Sequence, residues 1–414
     1  NGFNYPSYGV SFVFSEYLKK VLPTLTFGKL RASRSSVGSV PDAFLGEYAL
    51  TPTYGTGNVS YNNNFFIGFP NTITDPTIKP AINISTEIGT DLRFFRDRLG
   101  LSFTYYTDER KNDIVPTSVS APSGITSSIL NAGLVTRQGF EVELNIKPIV
   151  TKNFTWDATL NWSSVDAKVE KVSDQSDILV RAGDAFGQIQ LVHIKGEKPF
   201  QIVGNGIKRI NGQPVIGADG TYETVANQNF GSTIADYFGG FFNNFNYKNW
   251  TLTAAFDFSQ GGKFYSLSDN WGTYSGLLAK TAAINDNGKN VRDPVADGGG
   301  VHVFGVNESG KPYDVYVDGF TYYHQFYDRT PEEFIHDKSY IKFREASLGY
   351  RFNTKNWGTL GKAIKTMSFS LVARNLFIWT KVKGFDPSEL AAEWGENGQL
   401  PGTRSYGATL RLGF

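Results

Sequence analysis

Segments of strict two-residue alternation recur along the whole chain, and they come in pairs. Within a pair the link is short; between pairs it is long. Tyr8–Tyr17 passes through Lys19, Lys20 and Pro23 to Thr24–Ser36. Ile84–Phe95 and Leu99–Arg110 are joined by Arg96, Asp97 and Arg98. Arg137–Lys147 and Asn153–Ser164 meet through Pro148. Asp236–Tyr247 and Trp250–Ser259 are separated only by Lys248 and Asn249. Ser339–Phe352 and Thr366–Ile378 share a link with Trp357, Gly358 and Gly361, and Thr403–Phe414 stands alone. Because a β-strand turns successive side chains to opposite faces, each segment has one apolar and one polar side. Phe140, Val142, Leu144 and Ile146 oppose Glu141, Glu143 and Asn145, and Tyr406, Ala408, Leu410, Leu412 and Phe414 oppose Ser405, Gly407, Thr409, Arg411 and Gly413.

The segments between pairs, 37–83, 111–136, 165–235, 260–338 and 379–402, hold more than half of the 414 residues. Loops of that length are foreign to a compact soluble domain. Short turns alternating with long loops are the pattern of an outer-membrane barrel, with the turns periplasmic and the loops extracellular. The expected fold is therefore all-β, a transmembrane antiparallel β-barrel with 11 strands in residues 1–414. Each hairpin reverses direction, so the first and last of an odd number of strands run the same way and cannot close an antiparallel barrel. The count predicts part of a barrel, not all of one. The remaining strands come from the same or another polypeptide, and the last strand, with Tyr406, Leu410, Leu412 and Phe414 on its apolar face, pairs with one of them. Two strands change phase: Ile341 and Phe343 are odd, Ala346 to Phe352 even; Phe369 and Leu371 are odd, Leu376 and Ile378 even. A bulge or a strand continuing above the membrane accounts for either.

Composition excludes several classes. Charged residues are 19% and the formal net charge is +1, so no nucleic-acid partner is implied. With no cysteine, thiolate metal sites and a cysteine nucleophile are excluded. No apolar run reaches the roughly 18 residues of a transmembrane helix. Aromatics at 15% suit interfacial girdles or a carbohydrate-binding surface.

Five strings carry a family resemblance. Asp75-Pro76-Thr77-Ile78-Lys79-Pro80 followed by Glu87-Ile88-Gly89 resembles "NPDLKPE…WEIG". Asn131-Ala132-Gly133 with Gly139-Phe140-Glu141 resembles "NAG…KGFE". Gly239-Gly240-Phe241 with Tyr247 resembles "GG…YK". Tyr340-Ile341-Lys342-Phe343-Arg344-Glu345 with Leu348-Gly349-Tyr350 resembles "YLRLRE…LGY". Arg374-Asn375-Leu376-Phe377-Ile378-Trp379-Thr380 with Gly384-Phe385-Asp386-Pro387 resembles "RNLFTWTKYKGFDPE". In that order they resemble the C-terminal half of SusC/RagA-type TonB-dependent transporters of Bacteroidota, which implies a C-terminal portion of that barrel, residues 1–414, with the plug domain absent from it. Asp75 stands where the family has Asn, and Ala81 where it prefers Glu. The resemblance implies a 22-stranded plugged barrel in the bacterial outer membrane that takes up a large nutrient, an oligosaccharide or oligopeptide. Its implied partners are a SusD-type surface lipoprotein lid and the TonB complex, reached through an N-terminal part not in these residues. The alternative is a barrel scaffold subunit of a secretion or adhesion assembly. A soluble all-β binding protein is a third reading, which predicts solubility without detergent.

No catalytic set, cofactor site or metal site stands out, and the chain is not read as an enzyme. His193, His302, His324 and His336 are scattered across the predicted loops without close metal-ligand spacing. Phe320, Tyr322, Tyr323, Phe326 and Tyr327 crowd one long loop, where they contact substrate or lid, or pack on neighbouring loops; Phe65 and Phe66 invite the same two readings. Glu141, Glu143 and Asp157 belong to the lumenal polar face, as a contact patch or as solvated carboxylates. Trp156 and Trp162, at the two ends of one lipid-facing stripe, read as aromatic girdle residues.

Overall fold

The computed structural model describes residues 4–18, 20–39, 53–54, 60–61, 64–65, 67–68, 72–75, 77–118, 122, 127–173, 176–184 and 186–414. Among these, eleven long strands follow one another in antiparallel order, and two compact units can be distinguished. The first comprises residues 1–145, 163–181 and 193–199, the second residues 146–162, 182–192 and 200–414.

In the first unit, β1 (Ser7–Val13), β2 (Leu25–Ser39), β3 (Ala81–Phe94) and β4 (Leu99–Ser118) pair in sequence, and β5 (Ser127–Val150) enters it as far as Asn145. The register aligns Val10, Ala32, Ile88 and Tyr105 in one row across four strands. Val10 is 69% and Ile88 58% exposed, and among the described residues no other layer covers them. A contiguous apolar sheet face of that extent is unstable in water and stable against lipid. The opposite face is charged: Asp91 accepts from Ser102 at 2.8 Å and lies 3.4 Å from Lys29, while Arg31 donates to Thr104 at 2.5 Å. Alternation therefore sorts lipid-facing from lumenal residues strand by strand. The sequence boundaries placed a loop at 111–136, whereas β4 runs to Ser118 and β5 begins at Ser127. Ladder hydrogen bonds do not need lipid, so the hairpin continues past the membrane boundary.

In the second unit, the end of β5 is followed by β6 (Phe154–Ser164, as far as Trp162), β7 (Tyr237–Tyr247), β8 (Trp250–Gln260), β9 (Tyr340–Phe352), β10 (Thr366–Thr380) and β11 (Ser405–Gly413). Two aromatic rows cross these strands. Trp250, Tyr350 and Phe369 align in one, continued by Leu410, and Phe256, Phe343 and Phe377 in the other. Leu252, Leu348 and Leu371 lie between them. The rows are six residues apart on β8, about 20 Å along a strand, close to the roughly 25 Å apolar band of a barrel wall. Trp156 and Trp162 have the same spacing on β6. Trp156 stacks on Phe245 at 5.5 Å, and Trp162 lies 6.2 Å from Tyr237. The Trp156 indole also donates to Asn243 at 3.1 Å, which satisfies a buried amide on the apolar face. On β11, Tyr406, Leu410, Leu412 and Phe414 are all exposed.

The phase change in β9 and β10 is a bulge. Phe343 pairs with Phe377 but Glu345 with Arg374, so Asn375 and Leu376 oppose Arg344 alone. Asn375 adopts a positive φ of 52° to make the bend, a conformation Asn tolerates better than most residues.

Gly239 shows why small residues recur in this wall. A Cβ there falls inside the van der Waals radius of the Asn161 carbonyl oxygen on β6. Gly239→Val is expected to destabilise the wall by about 1–3 kcal/mol, read as a lower temperature for loss of the SDS-resistant form on gels. An unchanged temperature contradicts this close packing.

Candidate functional site

The segments between the second unit's strands fold around a core of their own. Ile189, Leu191, Ile202, Tyr265, Phe326, Phe334 and Trp394 are buried together. On this core sits the helix Leu267–Tyr274. Its start is written in the sequence as Ser266-x-x-Asp269, and Ser266 Oγ accepts from the Asp269 amide at 3.2 Å. A distant carboxylate completes the end: Glu396 accepts from Ser266 Oγ, Ser268 N and Ser268 Oγ, each at 2.8 Å. The unfilled N–H groups and positive end of the helix favour a carboxylate there. Lower in the helix, Asp269 bonds His336 at 3.0 Å and Lys280 at 2.8 Å. Burial works to raise its pKa, yet these two partners hold it below the ordinary range.

The aromatic run 320–327 is helical rather than a loop. Asp318 accepts from the Phe320 and Thr321 amides at 3.0 and 3.2 Å, starting the helix Gly319–His324, and a 3₁₀ turn Gln325–Tyr327 follows. Helical spacing then divides the aromatics. Tyr322 and Phe326, four apart, turn inward. Phe326 is 1% exposed and so is a core residue, not a contact residue. The Tyr322 hydroxyl is 3.2 Å from that of Tyr222. Phe320, at 73% exposed, and Tyr327, at 50%, turn outward. Phe66 and the Phe65 side chain lie outside the described residues.

Between the two helices lies a cavity of about 460 Å³ lined by Tyr274, Arg292, Phe320, Tyr323 and His324 among others. An aromatic band runs from it across the surface. Phe186 is 4.2 Å from Trp271, Trp271 5.7 Å from Tyr274, Tyr274 5.1 Å from Tyr327, and His324 4.9 Å from Phe320. Sequence reading missed Phe186, Trp271, Tyr274 and Arg292, and named His324 only as a loop histidine. Ser266 and Asp318, which cap the two helices, are the signals that could have revealed them, but only folding brings their rings together.

Segment 381–402 ties this site to the wall. The β9 residue Lys342, whose side chain is 3% exposed, donates to Asp386 at 2.5 Å, Glu389 at 2.8 Å and Ser388 at 3.1 Å. Arg344, at the bulge, donates to Glu389 at 3.1 Å and to Asp257 on β8 at 2.8 Å. The strings Tyr340–Glu345 and Gly384–Pro387 are thus two sides of one ion network. Farther along, Trp394 packs on Tyr265, 5.7 Å between rings, just before the capping Glu396.

The remaining candidates have separate settings. His302 lies between Asp286, at 2.7 Å, and Asp314, at 2.6 Å, and stacks on Tyr316, whose hydroxyl donates to Asp286 at 2.7 Å. Hydrogen bonds accepted first by Asp314 and then by Asp286 hold its pKa above the ordinary value. In the first unit, burial, helped by Arg181, pushes the His193 imidazole down to about 4. Among the described residues no three metal-ligating side chains converge. Glu141 is exposed, and Glu143 accepts from Asn145 at 2.6 Å. In the second unit, Asp157 lies 3.8 Å from Lys147.

The model of the family described as "TonB dependent receptor-like, beta-barrel" matches residues 1–376. TonB-dependent receptor P3 of Formosa agariphila is 24% identical over 392 residues, 88% of this chain and 36% of that protein. TonB-dependent receptor SusC of Bacteroides thetaiotaomicron is 26% identical over 320 residues, 72% of this chain and 29% of that protein. In fold, the chain is similar to the RagAB peptide transporter, with a TM-score of 0.71 and 19% identity over 99% of this chain and 43% of that chain. It therefore spans less than half the length of each of these relatives.

Two outcomes follow from the geometry. Lys342→Met leaves Asp386 and Glu389 without their buried cation, a change of about 3–5 kcal/mol for a disrupted buried pair; limited proteolysis should then cut within 381–402, and resistance equal to wild type contradicts the anchoring. The His302 pKa is raised on folding, so its stabilisation is complete below the ordinary value of 6.5 and is lost as pH climbs through the raised one. Amide exchange in the hairpin 301–317 should accelerate beyond the intrinsic rate as pH rises above the ordinary imidazole value of 6.5 and through the raised one. In His302→Gln this extra acceleration should vanish.

Proposed function

The chain belongs to the TonB-dependent receptor-like β-barrel family, and from that membership we propose that it supplies wall strands and outer loops of an importer for a large nutrient. It is an outer-membrane protein segment of SusC/RagA type. The observation that carries the proposal is the pairing of a lipid-facing wall with loops that carry their own core. A wall alone needs only short connections. Here the connection 261–339 builds two helices, an aromatic cavity and a capped, ion-anchored surface.

In this reading substrate meets the loop surface under a SusD-type lipoprotein lid, and coupling to TonB opens a path through a plug outside these residues. No bond of the substrate is made or broken. The eleven strands are an odd number, so an odd number of further strands completes the antiparallel ring, eleven in a 22-stranded barrel. They join at the free edges of β1 and β11, from the same or another polypeptide. Glu141, Glu143 and Asp157 belong to the wet inner face, and Trp156 and Trp162 hold the two interfaces of the bilayer.

Strains lacking this receptor, and strains lacking TonB, should lose growth on the same glycan or peptide when it is the sole carbon or nitrogen source. The tagged receptor should also co-purify with a surface lipoprotein. Stable association with secretion components, together with no nutrient whose uptake needs both receptor and TonB, favours the scaffold role and sinks this one.

A further inference from the structure

Building on the uptake reading, we propose that the cavity between the helices Leu267–Tyr274 and Gly319–His324 is a subsite for an uncharged saccharide unit. Its size, about 460 Å³, lies within the roughly 300–1,000 Å³ usual for small-molecule sites. Three features of its lining select the ligand class.

The first is the aromatic surface. Phe320 is 73% exposed at the rim, 4.9 Å from His324, and His324 lies 6.3 Å from Tyr274. A large ring left in water on a rigid helical turn presents an apolar face and a polarised edge. The C–H face of a pyranose is flat, apolar and of matching width.

The second is charge. The lining holds one cation and one anion, Arg292 and Asp318. The Arg292 Nε donates to the Thr281 carbonyl at 2.8 Å, and its Nη2 donates to Thr281 Oγ1 at 2.7 Å and to the Gly276 carbonyl. The edge that grips a carboxylate bidentately is thus turned into the protein. Asp318 Oδ1 is occupied by the Phe320 and Thr321 amides. A peptide terminus or a uronate finds no such edge open to it.

The third is the polarity of the hydroxyls. Ser275 donates to the Trp271 carbonyl, Thr281 to Leu278 at 2.7 Å, and Tyr323 to Lys280 at 2.9 Å. Each of these three hydroxyls has spent its proton and offers a ligand only acceptor lone pairs, one of which on Thr281 is taken by Arg292. The complement of such a lining is a ligand rich in O–H donors and without charge.

The test is titration calorimetry on the complete receptor complex in detergent. The probes are cellohexaose, maltohexaose and mannohexaose, with hexagalacturonate and a tryptic casein digest as charged comparisons. At least one neutral hexaose should bind, Phe320→Ala should weaken it about tenfold or more, and Phe320→Trp should stay within about threefold of wild type. Because Phe320 is exposed, both variants should fold, which the SDS-resistant form on gels verifies. Absence of neutral-sugar binding, equal binding by Phe320→Ala, or a Phe320-dependent affinity confined to hexagalacturonate or peptides overturns the subsite. If one of these results accompanies intact TonB-dependent uptake, the subsite falls and the transport reading stands. If Phe320-dependent sugar binding is found without TonB-dependent uptake, the subsite stands and transport falls.

Discussion

Inside a bilayer no water is present to satisfy a backbone N–H or C=O, so every such group on a spanning strand must bond to a neighbouring strand. The ladders from β1 to β5 and from β6 to β11 meet this demand residue by residue. Once the backbone is committed to ladders, side chains must alternate, because pleating sends them to opposite faces. Lipid then selects the apolar set, as in the row Val10, Ala32, Ile88 and Tyr105, and water in the lumen selects Lys29, Arg31, Asp91 and Thr104. The aromatic rows through Trp250 and Phe256 lie six residues apart on β8, one at each side of the leucine row.

The same demand relaxes at the membrane boundary, and there the chain is free to do something other than span. In the second unit it builds a small domain's worth of structure, with a buried core and two capped helices. What keeps that structure in place is a set of charge-assisted bonds. Lys342 and Arg344 on the wall hold Asp386 and Glu389, and Glu396 on the same segment caps the helix that carries Trp271 and Tyr274. The bulge belongs to this arrangement, since Arg344, unpaired in register against β8 and opposed by both Asn375 and Leu376 on β10, is the residue whose guanidinium bridges Asp257 and Glu389. An aromatic surface mounted this way has rings held at fixed separations, which at the proposed subsite limits the entropy lost when a ligand stacks on them.

Strands proved readable because the period of two is imposed locally, by the pleat and by lipid, and needs no knowledge of distant residues. Boundaries at the lipid-facing ends agree within a few residues, as at Trp250 and Phe352. Outside the membrane that local rule lapses. The hairpin through 111–136 keeps pairing where a loop was expected. The run 320–327 reads as an aromatic-rich loop until Asp318 is seen capping a helix, and then Phe326 moves from contact residue to core.

The sequence by itself determined the architecture: eleven antiparallel strands, the apolar and polar faces of each, and the alternation of short turns with long excursions. It could do so because each of those properties is set by neighbours two or a few residues away. The tertiary structure alone decided which aromatics meet at the cavity, that Arg292 turns its edge inward, and that Glu396 caps a helix 130 residues distant in sequence. Those outcomes depend on long-range closure, where the deciding term is which polar group finds which partner once the backbone has folded.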